Sequence, residues 1–153
     1  MKYRIDYQLT HDIDWFAVVC GIPIHVASNG NILPNEVDSK INRQIQKRLA
    51  EIHLDTCDVS IGQEVTNVLG KSGDLDFYLE TFVEYASMGF VSIDSHKVLN
   101  ERGSIDFRPV IVAYPSNRNK LIVPEAIGIH LPILQNEQHK SQFQSQLNLS
   151  NLW

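Results

Sequence analysis

Two apolar runs, residues 13–20 and 22–28, follow one another with only Gly21 between them. Each is too short for a membrane span and too apolar for a solvent-facing loop. The first is apolar on both faces apart from Asp14, the pattern of a central strand. The second alternates, with Ile22, Ile24 and Val26 on one side and Pro23, His25 and Ala27 on the other. Cys20-Gly21 reads as the turn of a hairpin joining them. A hairpin this apolar must be covered by further layers, so it commits the chain to a packed domain around a sheet.

The rest of the chain supplies those layers. Residues 2–9 alternate, with Tyr3, Ile5, Tyr7 and Leu9 on one face, and read as a half-buried strand. Asn29-Gly30 marks a turn. Residues 36–53 read as a helix, with Val37, Ile41, Ile45, Leu49 and Ile52 on one arc and Glu36 and Asp38 near its N-terminus. Arg48 falls inside that apolar stripe. Residues 54–72 are ambiguous, with Val59 and Ile61 fitting a short strand. Residues 74–88 give the clearest helix: Leu75, Tyr78, Leu79, Phe82, Val83 and Ala86 share a face, Asp74 suits the N-cap and Gly89 the C-terminal stop. Residues 90–94, 105–114 and 121–133 read as three strands. Pro124 and Pro132 make the last an edge strand or a broken one.

The expected fold is α+β, an antiparallel or mixed sheet of about six strands with two main helices packed on one face. Residues 1–134 form one domain on this reading. Residues 135–153, of which 11 of 19 are Gln, Asn or Ser, form a polar C-terminal tail with an apolar end in Leu147, Leu149, Leu152 and Trp153. A chain of 153 residues, 43% hydrophobic and 20% charged, suits a single core.

Composition excludes more than it assigns. Cys20 and Cys57 are too few for a disulfide framework, residues 1–10 lack an apolar signal core, and a cytoplasmic location is expected. A net charge of −5 argues against nucleic acid, and no membrane association is expected. The charge is uneven: residues 51–94 carry nine acids and one base, whereas residues 95–120 carry five bases and two acids. Such a dipolar surface can orient a partner. There is no Walker loop, G-x-G-x-x-G, G-x-S-x-G, H-E-x-x-H or C-x-x-C, so neither a cofactor nor a metal site is expected.

Three groups of residues carry chemistry of interest. His25 and His130 each interrupt an apolar strand on the face opposite its branched aliphatics, and adjacent strands would bring both rings into one cleft as base or ligand. Asp14, in a strand otherwise apolar on both sides, needs a partner if buried. Arg48 would supply one, although it can equally extend along the helix edge into solvent. These make His25, His130 and Asp14 the catalytic candidates. Asp94-Ser95-His96 places an acid, a hydroxyl and an imidazole together but fits a polar turn. Asp76, Glu80 and Glu84 fit a solvated helix flank. Cys20, read as buried at the end of its run, is a poor nucleophile. Phe77 and Met88, on the outer side of their helix, and Trp153 in the tail are candidate binding residues. The expected function is a binding or regulatory module acting through a protein partner or self-association. The alternative is a metal-dependent or general acid–base enzyme built on a His/Asp cluster on one sheet face.

Overall fold

A computed structural model describes residues 1–65, 75–144 and 152–153. The class is α+β: a mixed five-stranded sheet with helices. In chain order the elements are α1 (Ile5–Thr10), β1 (Asp14–Val19), β2 (Ile22–Ala27), α2 (Ser39–Glu51), β3 (Val59–Ile61), α3 (Leu75–Ser87), β4 (Val91–Leu99), β5 (Ile105–Pro115) and α4 (Glu137–Gln144), with 3-10 turns at Arg118–Lys120 and Pro124–Ile127. The sheet order is β1-β2-β4-β5-β3, with β2 and β4 parallel and every other pair antiparallel. Among the described residues no helix is long and apolar enough to cross a membrane.

The β1–β2 hairpin turns through Cys20 at φ 50° and Gly21 at φ 78°, two left-handed residues in succession. That geometry matches the right-handed twist of paired strands. Alternation then sorts the strands into two faces. Trp15, Ala17, Val19, Ile24, Val26 and Ile93 enter one buried cluster. Phe16 packs with Ile45 and Leu49 of α2, and Ala27 with Phe82 and Ala86 of α3. The two longest helices therefore share one face. The opposite face is closed by Tyr3, Leu33, Val37, Leu134 and Phe143 of α4. Asp38 caps α2 by accepting from the backbone of Lys40 and Ile41. After α3, Gly89 at φ 111° lies so close to the backbone of Lys120 and Ile122 that a Cβ would collide with it.

Four expectations change. Residues 2–9 are not a strand: a short helix forms instead, because Tyr3, Tyr7 and His11 lie four apart. Their rings stack, at 6.1 Å between Tyr3 and Tyr7 and 3.9 Å between Tyr7 and His11. Positions four apart satisfy both a period of two and one helical turn, so alternation over so short a segment does not decide between them. Residues 121–133 also form no strand. Pro124 opens a 3-10 turn, Gly128 ends it at φ 72°, and only a single bridge, Val18 with Ile133, reaches the sheet. With β3 gained, the sheet has five strands rather than about six. β1 is an edge strand rather than a central one. Its outer side is covered by the chain at 132–134, where Val18 N–H donates to Pro132 O at 2.8 Å and Leu134 N–H to Val18 O at 3.0 Å. That cover pairs the open edge of β1, while the apolar clusters packed on both sides of the sheet bury its two faces.

The described parts of the C-terminal segment, α4 and residues 152–153, lie against the domain. Phe143 is buried and meets Trp15 edge-on at 6.0 Å. Trp153 donates its indole N–H to Pro115 O at 2.8 Å and packs across Tyr114. Asp74, expected as the α3 cap, and the apolar Leu147 and Leu149 lie outside the described residues.

Candidate functional site

The site forms where β1, β2 and β4 run side by side beneath α3. Strand register makes two cross-sheet rows: Phe16, His25 and Ser92 in one, Asp14, Ala27 and Asp94 in the next. Both rows face α3, because His25 lies against Phe82 and Tyr85 and Asp94 meets Tyr78.

His25 is fully buried. Its Nε2 lies 2.8 Å from Asp14 Oδ1 and its Nδ1 lies 3.0 Å from Ser92 Oγ. A carboxylate only accepts, so Nε2–H is the donor to Asp14. In the neutral ring Nδ1 then accepts from the Ser92 hydroxyl. Phe16 and Tyr85 pack against the same ring, with centroids at 5.4 and 4.3 Å. Asp14 is held a second way: its backbone carbonyl accepts from Asn42 Nδ2 at 2.9 Å and Gln46 Nε2 at 2.6 Å, both from α2. Its side chain remains 34% exposed. The serine, histidine and aspartate thus form a chain from the core to solvent. Ser92 is fully buried, so no substrate reaches its hydroxyl. The group presented outward is the Asp14 carboxylate, and His25 and Ser92 fix its position.

Asp94 sits in a contrasting environment. It is 6% exposed and accepts a 2.6 Å hydrogen bond from the Tyr78 hydroxyl. Burial pushes its carboxyl above the ordinary range; the Tyr78 bond pulls it back, the charge of Asp12 pushes it up further, and His96 and His25 oppose. Burial also pushes the Tyr78 hydroxyl up, reinforced by its bond to Asp94 and that group's charge, so it stays protonated and donating at neutral pH. The Tyr85 hydroxyl is pushed up to about 12, first by burial and then by the charges of Asp14 and Glu84.

Above these rows lies a cleft of about 470 Å³. Asp12, Asp14, Glu80 and Asp94 line it with Phe77 and Tyr78, and among the described residues no lysine, arginine or histidine lines it. Asp12 is fixed at the rim, where its carboxylate accepts from Asn29 N–H at 2.7 Å. Phe77 is 79% exposed beside it. The arrangement can hold a cation between carboxylates and aromatic rings. Among the described residues no group of three or more His, Cys, Asp or Glu side chains could hold a metal ion.

The structure brings His25 and Asp14 together and leaves His130 apart. His130 is exposed beyond the Pro124–Ile127 turn, whereas both ring nitrogens of His25 are taken by Asp14 and Ser92. Arg48 is exposed, and the partner of Asp14 is His25. Phe77 lies at the cleft. Met88 is half-buried and packs on the Phe16 and Phe90 cluster instead of pointing outward, because the chain after α3 folds over it. Trp153 docks within its own chain. Cys20 is exposed at the hairpin turn, contrary to its expected burial, because β1 ends at Val19. Sequence reasoning missed Ser92 and the polar role of Tyr78. The signal for Ser92 was present: Ser92 and Asp94 are the two polar residues of an otherwise apolar run, two apart and so on one face.

Compared with protein-family models, curated proteins and solved structures, the chain matches none of them.

Proposed function

We propose that this protein is a binding module whose acidic, aromatic cleft receives a cationic side chain, lysine or arginine, presented by a protein partner. One observation carries the reading. A carboxylate anchored from behind by a buried histidine opens into a cleft that holds three further acids and an exposed Phe77, with no base among its described lining residues. A cation there gains charge pairing and contact with a ring face, which an isolated surface acid does not offer. The uneven charge of the sequence supports the same reading by steering a basic partner. We place the protein in the cytoplasm, where Cys20 and Cys57, both free thiols, stay reduced.

The test is fluorescence anisotropy of a labelled peptide carrying alternating lysine and arginine, titrated at low and at high salt. Binding is expected to weaken with salt. It is expected to fall about fivefold, ~1 kcal/mol, in Asp14→Asn and again in Phe77→Ser. Absence of binding at low salt, or affinity indifferent to both substitutions, overturns the proposal.

A second reading, general acid–base catalysis, is favoured by a different observation. Asp14 and Asp94 flank Ala27 in unlike environments, one partly open and oriented, the other buried and pushed up. Unlike carboxylate pairs are how acid and base roles are divided in some hydrolases. Turnover of model glycosides or esters that Asp94→Asn abolishes would favour this reading over the first.

A further inference from the structure

Beyond Asp94 the sheet narrows to two strands. Strand β2 pairs β4 only at 91–94, and β3 pairs β5 only at 113–115. From Ser95 opposite Pro109 to Leu99 opposite Ile105, β4 and β5 pair with each other and, among the described residues, with no third strand. They form an arm that leaves the core, and burial falls away along both strands. At its end Leu99 is 73% exposed and its cross-strand partner Ile105 59%. Directly opposed residues share a face, so the two make one small aliphatic patch open to water.

The turn that closes the arm is fixed by one side chain. Asn100 Oδ1 accepts from the backbone N–H of Arg102 and of Ser104, both at 3.0 Å. Its Nδ2 donates to Ser104 Oγ at 2.7 Å and to Asp106 Oδ2 at 3.1 Å. Gly103 supplies the left-handed residue, at φ 77°. Arg102 is exposed on this turn and makes no ion pair among the described residues, whereas Arg108 lower on the arm pairs with Glu64. A backbone already ordered loses little freedom when its arginine docks.

We propose that Arg102 of one copy of this chain enters the acidic cleft of a second copy, so that the protein's own arm is the cationic partner. This rests on the reading of the cleft as a cation site. Two matches carry it. The first is charge: Asp12, Asp14 and Glu80 line the cleft with no base among its described lining residues, and Arg102 is a cation that lacks an acid. The second is apolar: Phe77 stands 79% exposed at the cleft, and Leu99 and Ile105 flank the turn that carries Arg102. The arm does not serve the cleft of its own chain. Asp94 in the cleft and Leu99 at the last pair lie five residues apart on one continuous ladder. That is about 17 Å at the rise of an extended strand, longer than an arginine side chain. Because β4 carries both the cleft residue and the arm, two copies laid antiparallel along β4 exchange arms reciprocally, which closes a twofold dimer.

Sedimentation velocity of the full chain over a concentration series, at low and at high salt, tests the exchange. A monomer–dimer equilibrium is expected, shifted toward monomer by salt. Arg102→Glu, at an exposed turn, is expected to weaken dimerisation about tenfold or more with an unchanged thermal melt. Leu99→Ser should weaken it less. The labelled basic peptide should compete with the arm: excess peptide dissociates the wild-type dimer, and the Arg102→Glu chain binds peptide at least as tightly as wild type. A chain that stays monomeric at the highest concentration yet binds the peptide overturns the proposal and leaves the cleft to another protein's cation. A dimer indifferent to salt and to Arg102→Glu overturns it too, since another surface then joins the copies. A dimer that Arg102→Glu breaks, in a chain that binds no peptide, overturns the cleft as the seat of Arg102 and with it the reading of the cleft as a cation site.

Discussion

On one face of the sheet, β1, β2 and β4 present Trp15, Ile24, Val26 and Ile93 to an apolar cluster; on the other, the same strands present Phe16, His25, Ser92 and Asp94 to α3. The two faces are buried to a similar degree. They differ in what burial demands. Apolar contact is non-directional and roughly proportional to the area removed from water. A buried histidine, serine or aspartate must instead meet a partner at hydrogen-bond distance or lose its hydration for nothing. The first face therefore tolerates shape changes that keep volume, whereas the second is fixed in geometry. Buried polar networks also add little net stability compared with well-packed apolar residues. Their presence on the face that opens into the acidic cleft is what supports the proposed binding role of that face.

The comparison is broken or sharpened most strongly by truncating the apolar face. Ile24 is fully buried, and Ile24→Ala is expected to cost about 2–5 kcal/mol in urea unfolding, through lost transfer energy and a residual cavity. Basic-peptide affinity measured on the folded fraction should not change. The matching substitution on the polar face, His25→Leu, keeps most of the volume but strands the buried Ser92 hydroxyl and releases Asp14. Its expected cost is smaller, about 1–3 kcal/mol, the penalty of an unsatisfied buried group. The sharper measurement is the double variant. Adding Ser92→Ala to His25→Leu removes the stranded hydroxyl and should recover part of the loss, so the two changes will not add. Strict additivity would mean that the Ser92–His25 bond contributes nothing to stability.

Much of this was legible in the chain, and the failures have physical causes. Helices α2 and α3 carry long one-sided patterns, and the β1–β2 hairpin and the β4–β5 pair carry apolar runs bounded by turns; those patterns survive folding because burial is what they encode. Residues 2–9 misled because Tyr3 and Tyr7 fit both periods. Gln8, polar in the alternation, is in fact buried, donating to Tyr3 O and accepting from Leu33 N–H. Residues 121–133 misled because apolar content outweighed two prolines. In the site, Asp14 and His25 stood out as polar residues in apolar strands. Pairing them required the antiparallel register of β1 and β2, which places His25 opposite Phe16 and so beside Asp14 on the same face. The cleft itself was hidden. Asp12, Asp94 and Glu80 come from three distant segments, and only the parallel β2–β4 pairing and the seat of α3 bring them together.

The subtlest difference between the faces is the pH dependence that only the polar one can carry. Asp94 has a folded-state pKa raised above its unfolded value, chiefly by burial. A raised carboxyl contributes its full stability below the unfolded pKa, about 3.9, and loses it as pH rises through the folded value. Ionised Asp94 is thus a burden on the native state at neutral pH, partly relieved by the Tyr78 hydroxyl at 2.6 Å. Asp94→Asn keeps an oxygen able to accept that bond and removes the charge. Urea melts from acidic to neutral pH should therefore show the variant gaining on wild type as pH rises, by less than the His25→Leu loss. Tyr78→Phe should do the reverse, falling further behind wild type at higher pH, because the ionised carboxylate loses its donor. If Asp94→Asn instead loses ground with rising pH, the Tyr78 bond and the nearby histidines outweigh burial. The cleft would then be built to hold Asp94 ionised, which strengthens it as a cation site and removes the contrast with Asp14 on which acid–base catalysis depends.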